Sequence, residues 1–145
     1  DYSVLWFGDS DVNNINSKKK ELHDLNIEVV DWKENNNLET QICIDLPWEG
    51  ILKLVQYAIE SRSEQSCLDQ IKNHFSTISG NVSEWEDSKD LRLAIGKTAH
   101  DKGWFKNITF GSDLGKIVFE YFDNITETDL FKKINEIQSW VKDDK

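Results

Sequence analysis

The sequence predicts an α/β fold: a small parallel βαβ layer at the N-terminal end, followed by a helical C-terminal extension of about half the chain. Three observations predict it. Two short β-prone runs, Ser3 to Phe7 and Ile27 to Trp32, bracket an amphipathic stretch of helical spacing, and strands joined through one helix pair in parallel. Pro47, the only proline, marks a break between two helical patterns. After Trp32 no further convincing strand appears, and apolar residues recur at helical rather than alternating spacing.

The first run, Ser3 to Phe7, reads as a buried strand that ends in the polar loop Gly8-Asp9-Ser10-Asp11. Its acidic residues therefore stand at a strand's C-terminal edge, where open α/β sheets place their ligands. From Ile15 to Leu25, the positions of Ile15, Leu22 and Leu25 suit a helix whose other face carries Lys18, Lys19 and Lys20 as solvated charge. Ile27 to Trp32 is the second strand, and Asn35-Asn36-Asn37 a polar loop. Leu38 to Leu46 is a short helix stopped at Pro47, which starts the next. That helix presents Trp48, Ile51, Leu52, Leu54, Val55, Ala58 and Ile59 as an apolar face, and Cys67, Leu68, Ile71 and Phe75 continue the pattern on its successor. Beyond Gly80 the expected helices are Ser88 to Lys102, Asp113 to Phe122 and Thr126 to Val141, the last opening on a capping box of Thr126 and Asp129. The organisation is thus an α/β core over residues 1–62 and a helical extension over 63–145.

Composition excludes several classes. No apolar run approaches the ~20 residues that cross a bilayer, and no secretion signal is present, so a cytoplasmic protein without membrane contact is expected. Cys43 and Cys67 lack CxxC spacing and a histidine cluster, so they read as buried free thiols. His23, His74 and His100 are scattered and read as structural or surface residues, without a zinc site. Trp104 and Phe105 read as packing rather than as platforms for a base. The chain contains no methionine, not even an initiator, and reads as a piece of a longer protein. A net charge of −10 argues against a free-standing nucleic-acid binder, since phosphate affinity comes from clustered Lys and Arg. DNA would need another domain or a local basic patch. The stretch holding Lys97, His100, Lys102 and Lys106 is the one local candidate after the first helix. Glu84, Glu86, Asp87, Asp90 and the tail Asp143-Asp144 read as surface charge and helix starts.

The chemistry sits in the acidic loop. Asp9 and Asp11 place two hard oxygen ligands on one loop, as Mg²⁺ requires. A two-metal phosphodiesterase needs further carboxylates to hold a second ion about 4 Å away. Glu39, after the second strand, is the candidate, and Asp31 a weaker one. Two other classes fit the same loop. Asp9-Ser10-Asp11-Val12 matches the motif of haloacid-dehalogenase-like phosphatases, with Asp9 as nucleophile and Asp11 as general acid. A non-catalytic docking module would use both carboxylates merely as caps.

Phe7-Gly8-Asp9-Ser10-Asp11, the lysine-bearing helix, Ile27-Glu28-Val29-Val30-Asp31-Trp32, Leu38-Glu39, Asp45-Leu46-Pro47-Trp48, Gly103-Trp104-Phe105-Lys106 and Asp113-Leu114-Gly115-Lys116 follow one another along nearly the whole chain. Their order resembles the Toprim nuclease domains of the OLD (overcoming lysogenization defect) family of ATP-dependent endonucleases. The resemblance implies that residues 1–62 are the C-terminal half of a Toprim-like core. It further implies a DNA endonuclease using Mg²⁺ or Mn²⁺ at a two-metal site, joined to an upstream ATPase domain or chain that uses ATP. A homo-oligomer and a role in antiphage defence or DNA processing also follow from the family. By the same resemblance Asp9 and Asp11 match the Toprim D-x-D, and Glu39 the acid after the next strand. A lysine from the C-terminal region stabilises charge on the scissile phosphate, with Lys106 the first choice and Lys97 the second. The glutamate that opens the Toprim motif has no counterpart here, so the resemblance places it outside this chain.

Overall fold

The computed structural model describes residues 3–143, so Asp144 of the acidic tail lies outside the described residues. Strand β1 (Leu5–Gly8) pairs in parallel with β2 (Glu28–Asp31) through α1 (Ile15–Asp24), with Leu5 opposite Glu28 and Gly8 opposite Asp31. The βαβ unit is present, and the rest of the described chain is helical: α2 (Leu38–Asp45), α3 (Trp48–Arg62), α4 (Glu64–Lys72), α5 (Lys89–Asp101), α6 (Ile108–Glu120) and α7 (Asp129–Asp143), with single 3-10 turns at Val82–Glu84 and Phe122–Asn124.

Local chemistry accounts for the boundaries. Asn37 caps α2 by accepting from the Thr40 N–H at 2.9 Å, and Leu46 turns extended ahead of Pro47, which ends it. Ser88 and Asn107 cap α5 and α6 in the same way, accepting from Leu91 and Phe110 N–H groups. Two expectations shift here. Helix α6 starts at Ile108 rather than Asp113, its first turn capped by Asn107. At α7 it is Thr128, not Thr126, whose hydroxyl accepts from the Phe131 N–H, so the helix opens at Asp129. Phe75 falls beyond the end of α4.

Helix α2 is the centre of the molecule. A single core cluster runs from Trp32 through Ile42 and Leu46 to Ile95, Trp104 and Leu130, so it crosses residue 62 without a seam. Helix α5 comes so close to α2 that a Cβ on Gly96 would stand 2.6 Å from the Thr40 Cα. At the other end of α2, Arg92 of α5 donates to the carbonyls of Cys43, Ile44 and Leu46 at 3.3, 3.0 and 2.8 Å while paired with Asp87. These are carbonyls a helix C-terminus leaves without partners, and a cation there also complements the helix dipole. Helix α7 docks by two bonds: Leu130 N–H donates to Asp45 Oδ2 at 2.8 Å, and Lys33 N–H to Asp129 Oδ2 at 2.7 Å. By contrast α1 has no buried residue, and Leu25 is 64% exposed.

Burial holds the Asp45 carboxyl above its ordinary value of 3.8, the hydrogen bonds from Gln41 and Leu130 pulling back against it and the charges of Asp129 and Glu34 adding to it. The folded chain therefore binds this proton more tightly than the unfolded chain, and Asp45's contribution to stability declines as pH rises from 3.8 through the raised value. Asp45→Asn keeps an acceptor for Leu130 but cannot ionise. Its stability relative to wild type is expected to increase with pH over that interval, read by urea unfolding at several pH values. Asp45→Ala strands the Leu130 N–H and is expected to cost about 1–3 kcal/mol at neutral pH.

Candidate functional site

The acidic loop leaves β1 and is tied down on both sides. Ser10, 5% exposed, donates its N–H to Asn36 O at 2.9 Å, and its Oγ lies 2.9 Å from Trp32 O and 3.1 Å from Asp31 Oδ2, sharing one proton between them. Asp31 is also ion-paired with Lys19, so one of the three lysines expected to be solvated is engaged, and Asp31 is absent from the wall of the cleft that holds Asp9 and Glu39.

Asp9 and Asp11 flank the start of α2. Asp9 Oδ1 accepts from the Leu38 N–H at 2.8 Å, and Asp11 Oδ2 accepts from Asn37 Nδ2 at 3.0 Å. Neither caps the adjacent α1, whose N-cap residue Asn14 is left-handed and makes no side-chain cap bond. The acidic loop is thereby held against a helix N-terminus some thirty residues away, a favourable place for carboxylates.

Glu39 lies in the first turn of α2, with its side chain 11% exposed, and its Oε2 is 3.1 Å from His100 Nδ1 on α5. His100 sits one turn beyond Gly96 on the same face of α5, so the close approach at Gly96 is what brings the two together. Helix α5 then ends in a tight reversal. Gly103, at φ +60, donates to His100 O at 3.1 Å, and Trp104 N–H donates to Ala99 O at 2.9 Å, the pair of bonds of a Schellman turn. Trp104 is 1% exposed and its Nε1 donates to Gln70 Oε1, anchoring the turn. The reversal carries Lys106 back toward the end of α5, its stem lying over Gly103.

These placements produce a cleft of about 370 Å³ bounded by Phe7, Gly8, Asp9, Leu38, Glu39, His100 and Lys106. Three sequence candidates, Asp9, Glu39 and Lys106, meet there from three separated segments. Asp11 is exposed and is not part of the wall, whereas a phosphatase of the kind weighed above needs both carboxyls in one cleft. Lys97 is elsewhere: it borders a larger cleft of about 780 Å³ with Glu34, Lys89 and Arg92. His100 is the functional candidate that the sequence reading assigned to structure or surface. Its one signal was its place in the basic stretch, and its partner lies 61 positions away.

The other residues behave as packing. Trp104 and Phe105 are buried, Phe105 stacking on Tyr57 at 6.4 Å. Cys43 and Cys67 are buried free thiols, and burial pushes Cys43 up to about 12, so neither is poised as a nucleophile. Among the described residues no three His, Cys, Asp or Glu side chains stand close enough together to hold a metal ion. Asp9 Oδ2 and Glu39 Oε1 make no hydrogen bond among the described residues and are the oxygens this chain offers to the cleft. No described helix is long and apolar enough to cross a membrane. Compared with protein-family models, with curated proteins and with solved structures, the chain matches none.

Proposed function

We propose that this chain is part of a metal-dependent DNA endonuclease, its βαβ layer the C-terminal half of a Toprim-like core of the OLD type. The supporting observation is the convergence of Asp9, Glu39 and Lys106 on one cleft beside the C-terminal end of β1. Asp9 and Glu39 are its metal ligands, Asp11, outside the cleft wall, is a third by resemblance, and the donor set is short of a complete site. By the same resemblance the further ligands, beginning with the first Toprim glutamate, come from outside this chain. When bound there, Mg²⁺ or Mn²⁺ supplies an activated water and stabilises the leaving oxygen.

The chain's own residues do the rest. The Leu38 N–H fixes the rotamer of Asp9, and His100 fixes that of Glu39, so both carboxylates are held before substrate arrives. Lys106 supplies a compact ammonium to the phosphate oxygens as negative charge grows on them. An ATPase domain or chain using ATP, a homo-oligomeric assembly and work in antiphage defence or DNA processing complete the reading by resemblance, and a cytoplasmic setting goes with it.

The test is plasmid cleavage by the full-length protein with Mg²⁺ or Mn²⁺, comparing wild type with Asp9→Ala, Asp11→Ala at equal folded concentration. Metal-dependent cutting that disappears in the double variant is expected. No cutting with any metal, or cutting indifferent to the substitutions, sinks the proposal. One observation favours a second reading, a non-catalytic docking module: both carboxylates already accept hydrogen bonds at the start of α2. On that reading the double variant lowers the melting temperature and there is no cleavage to lose.

A further inference from the structure

Helix α5 borders two clefts. Its last turn gives His100 to the cleft of Asp9, Glu39 and Lys106, and its earlier turns give Lys89, Arg92 and Lys97 to the larger one. Lys89 and His100 lie nearly in line along the helix, eleven residues apart, and Lys97 lies about 60–80° round from them at about 100° per residue. Arg92 is spent on Asp87 and on the carbonyls at the end of α2. Lys89 and Lys97 are exposed and make neither an ion pair nor a side-chain hydrogen bond among the described residues. With Asp87 held by Arg92, the anion left in the cleft wall is Glu34. Two uncommitted cations against one anion thus line this cleft in a chain of net charge −10, with Asp90 beside Lys97 in the adjoining hollow.

We propose that this face of α5 is a track for the phosphate backbone of a nucleic-acid strand, Lys97 and Lys89 gripping phosphates that flank the one presented to Lys106. The assignment deepens the nuclease reading and rests on it. It also gives Lys97 a different task from the one the sequence suggested, because Lys97 lines the other cleft and not the one that holds Asp9, Glu39 and Lys106. The dimensions suit the partner. At about 1.5 Å of rise per residue, Lys97 and Lys89 stand about 4.5 and 16 Å along the axis from His100. At about 3.4 Å of helix axis per phosphate in one strand, these distances correspond to phosphates about one and about five steps from the cut.

The experiment measures binding of a short fluorescein-labelled DNA duplex to the full-length protein by anisotropy, with EDTA present so that nothing is cut, over about 50–200 mM salt. Lys89→Ala, Lys97→Ala is expected to weaken binding about 10-fold and to reduce the slope of log affinity against log salt by about 1.8, two phosphate contacts' worth. Lys132→Ala, on an exposed face of α7, keeps both affinity and slope. Wild type that fails to bind the duplex, or a double variant with unchanged affinity and slope, overturns the track. So does a double variant that loses polyglutamate binding and keeps DNA binding, which would assign the cleft to an acidic peptide. A wild type that binds through these two lysines yet cuts nothing retires the hydrolysis and keeps the track, so the two readings fail separately.

Discussion

Lys106→Ala in the full-length protein is expected to slow DNA cleavage by roughly 10²–10³-fold, the usual cost of removing one group aimed at developing charge in a reaction site. The side chain is exposed and has no ion-pair partner among the described residues, so its loss should leave the fold intact. Its position depends on Gly103 and the buried Trp104 rather than on its own contacts. An unchanged melting temperature and a duplex affinity within about twofold should accompany the slowed cutting. Initial rates of plasmid cleavage at saturating metal check it. A rate equal to wild type would remove Lys106 from the site, and an equal loss of binding and rate would make it one more backbone contact.

Gly96→Ala is expected to destabilise the protein by about 3 kcal/mol, lowering the melting temperature by roughly 10 °C. Two effects oppose each other here. Replacing glycine by alanine inside a helix favours the helix by up to about 1 kcal/mol. Against that, the new methyl would stand 2.6 Å from the Thr40 Cα and 3.2 Å from Glu39 O and Thr40 N, all backbone atoms that cannot rotate aside. The helices must part, and core over-packing of that kind costs more than the propensity gains. The Glu39 to His100 hydrogen bond would open with them, so the variant should lose activity beyond its loss of folded protein. Gly115→Ala on α6 is the internal control. No atom lies within 4 Å of its Cβ position, so the same substitution there should be neutral or stabilising by up to about 1 kcal/mol. Urea unfolding of both variants decides it, and an unchanged midpoint for Gly96→Ala would show that α2 and α5 are not in backbone contact.

Both predictions concern features that a one-dimensional reading cannot supply. The strands, the short helix ended at Pro47 and the long one that follows were legible because each is set by neighbours within a few residues, a β-prone run, a missing N–H or a cap, and parallel pairing follows from one helix joining two strands. The misplaced boundaries were local too. Asn107 and Thr128 had competitors a few positions away, and only the position of the packed helix chose between them.

The candidate site was legible in its residue types and in part of its membership. Hard carboxylates after the two strands offered Asp9 and Glu39, and the family resemblance offered Lys106. Which basic residue serves which cleft was not legible, since Lys97, His100 and Lys106 lie within ten positions of one another. Helix α5 turns Lys97 toward one cleft and His100 toward the other, and the Gly103 reversal returns Lys106 to join His100.

The sequence by itself determined most of the strand and helix segments and offered the candidate residues Asp9, Asp11, Glu39, Lys97 and Lys106, because local structure follows from short-range sterics, hydrogen bonding and side-chain type. Tertiary structure alone decided that Glu39 meets His100, that the acidic loop is held by the start of α2, and that α5 divides its basic residues between two clefts. These depend on contacts 26 to 61 positions apart, set by how closely α2 and α5 can pack, and that distance is governed by the absence of a single Cβ at Gly96.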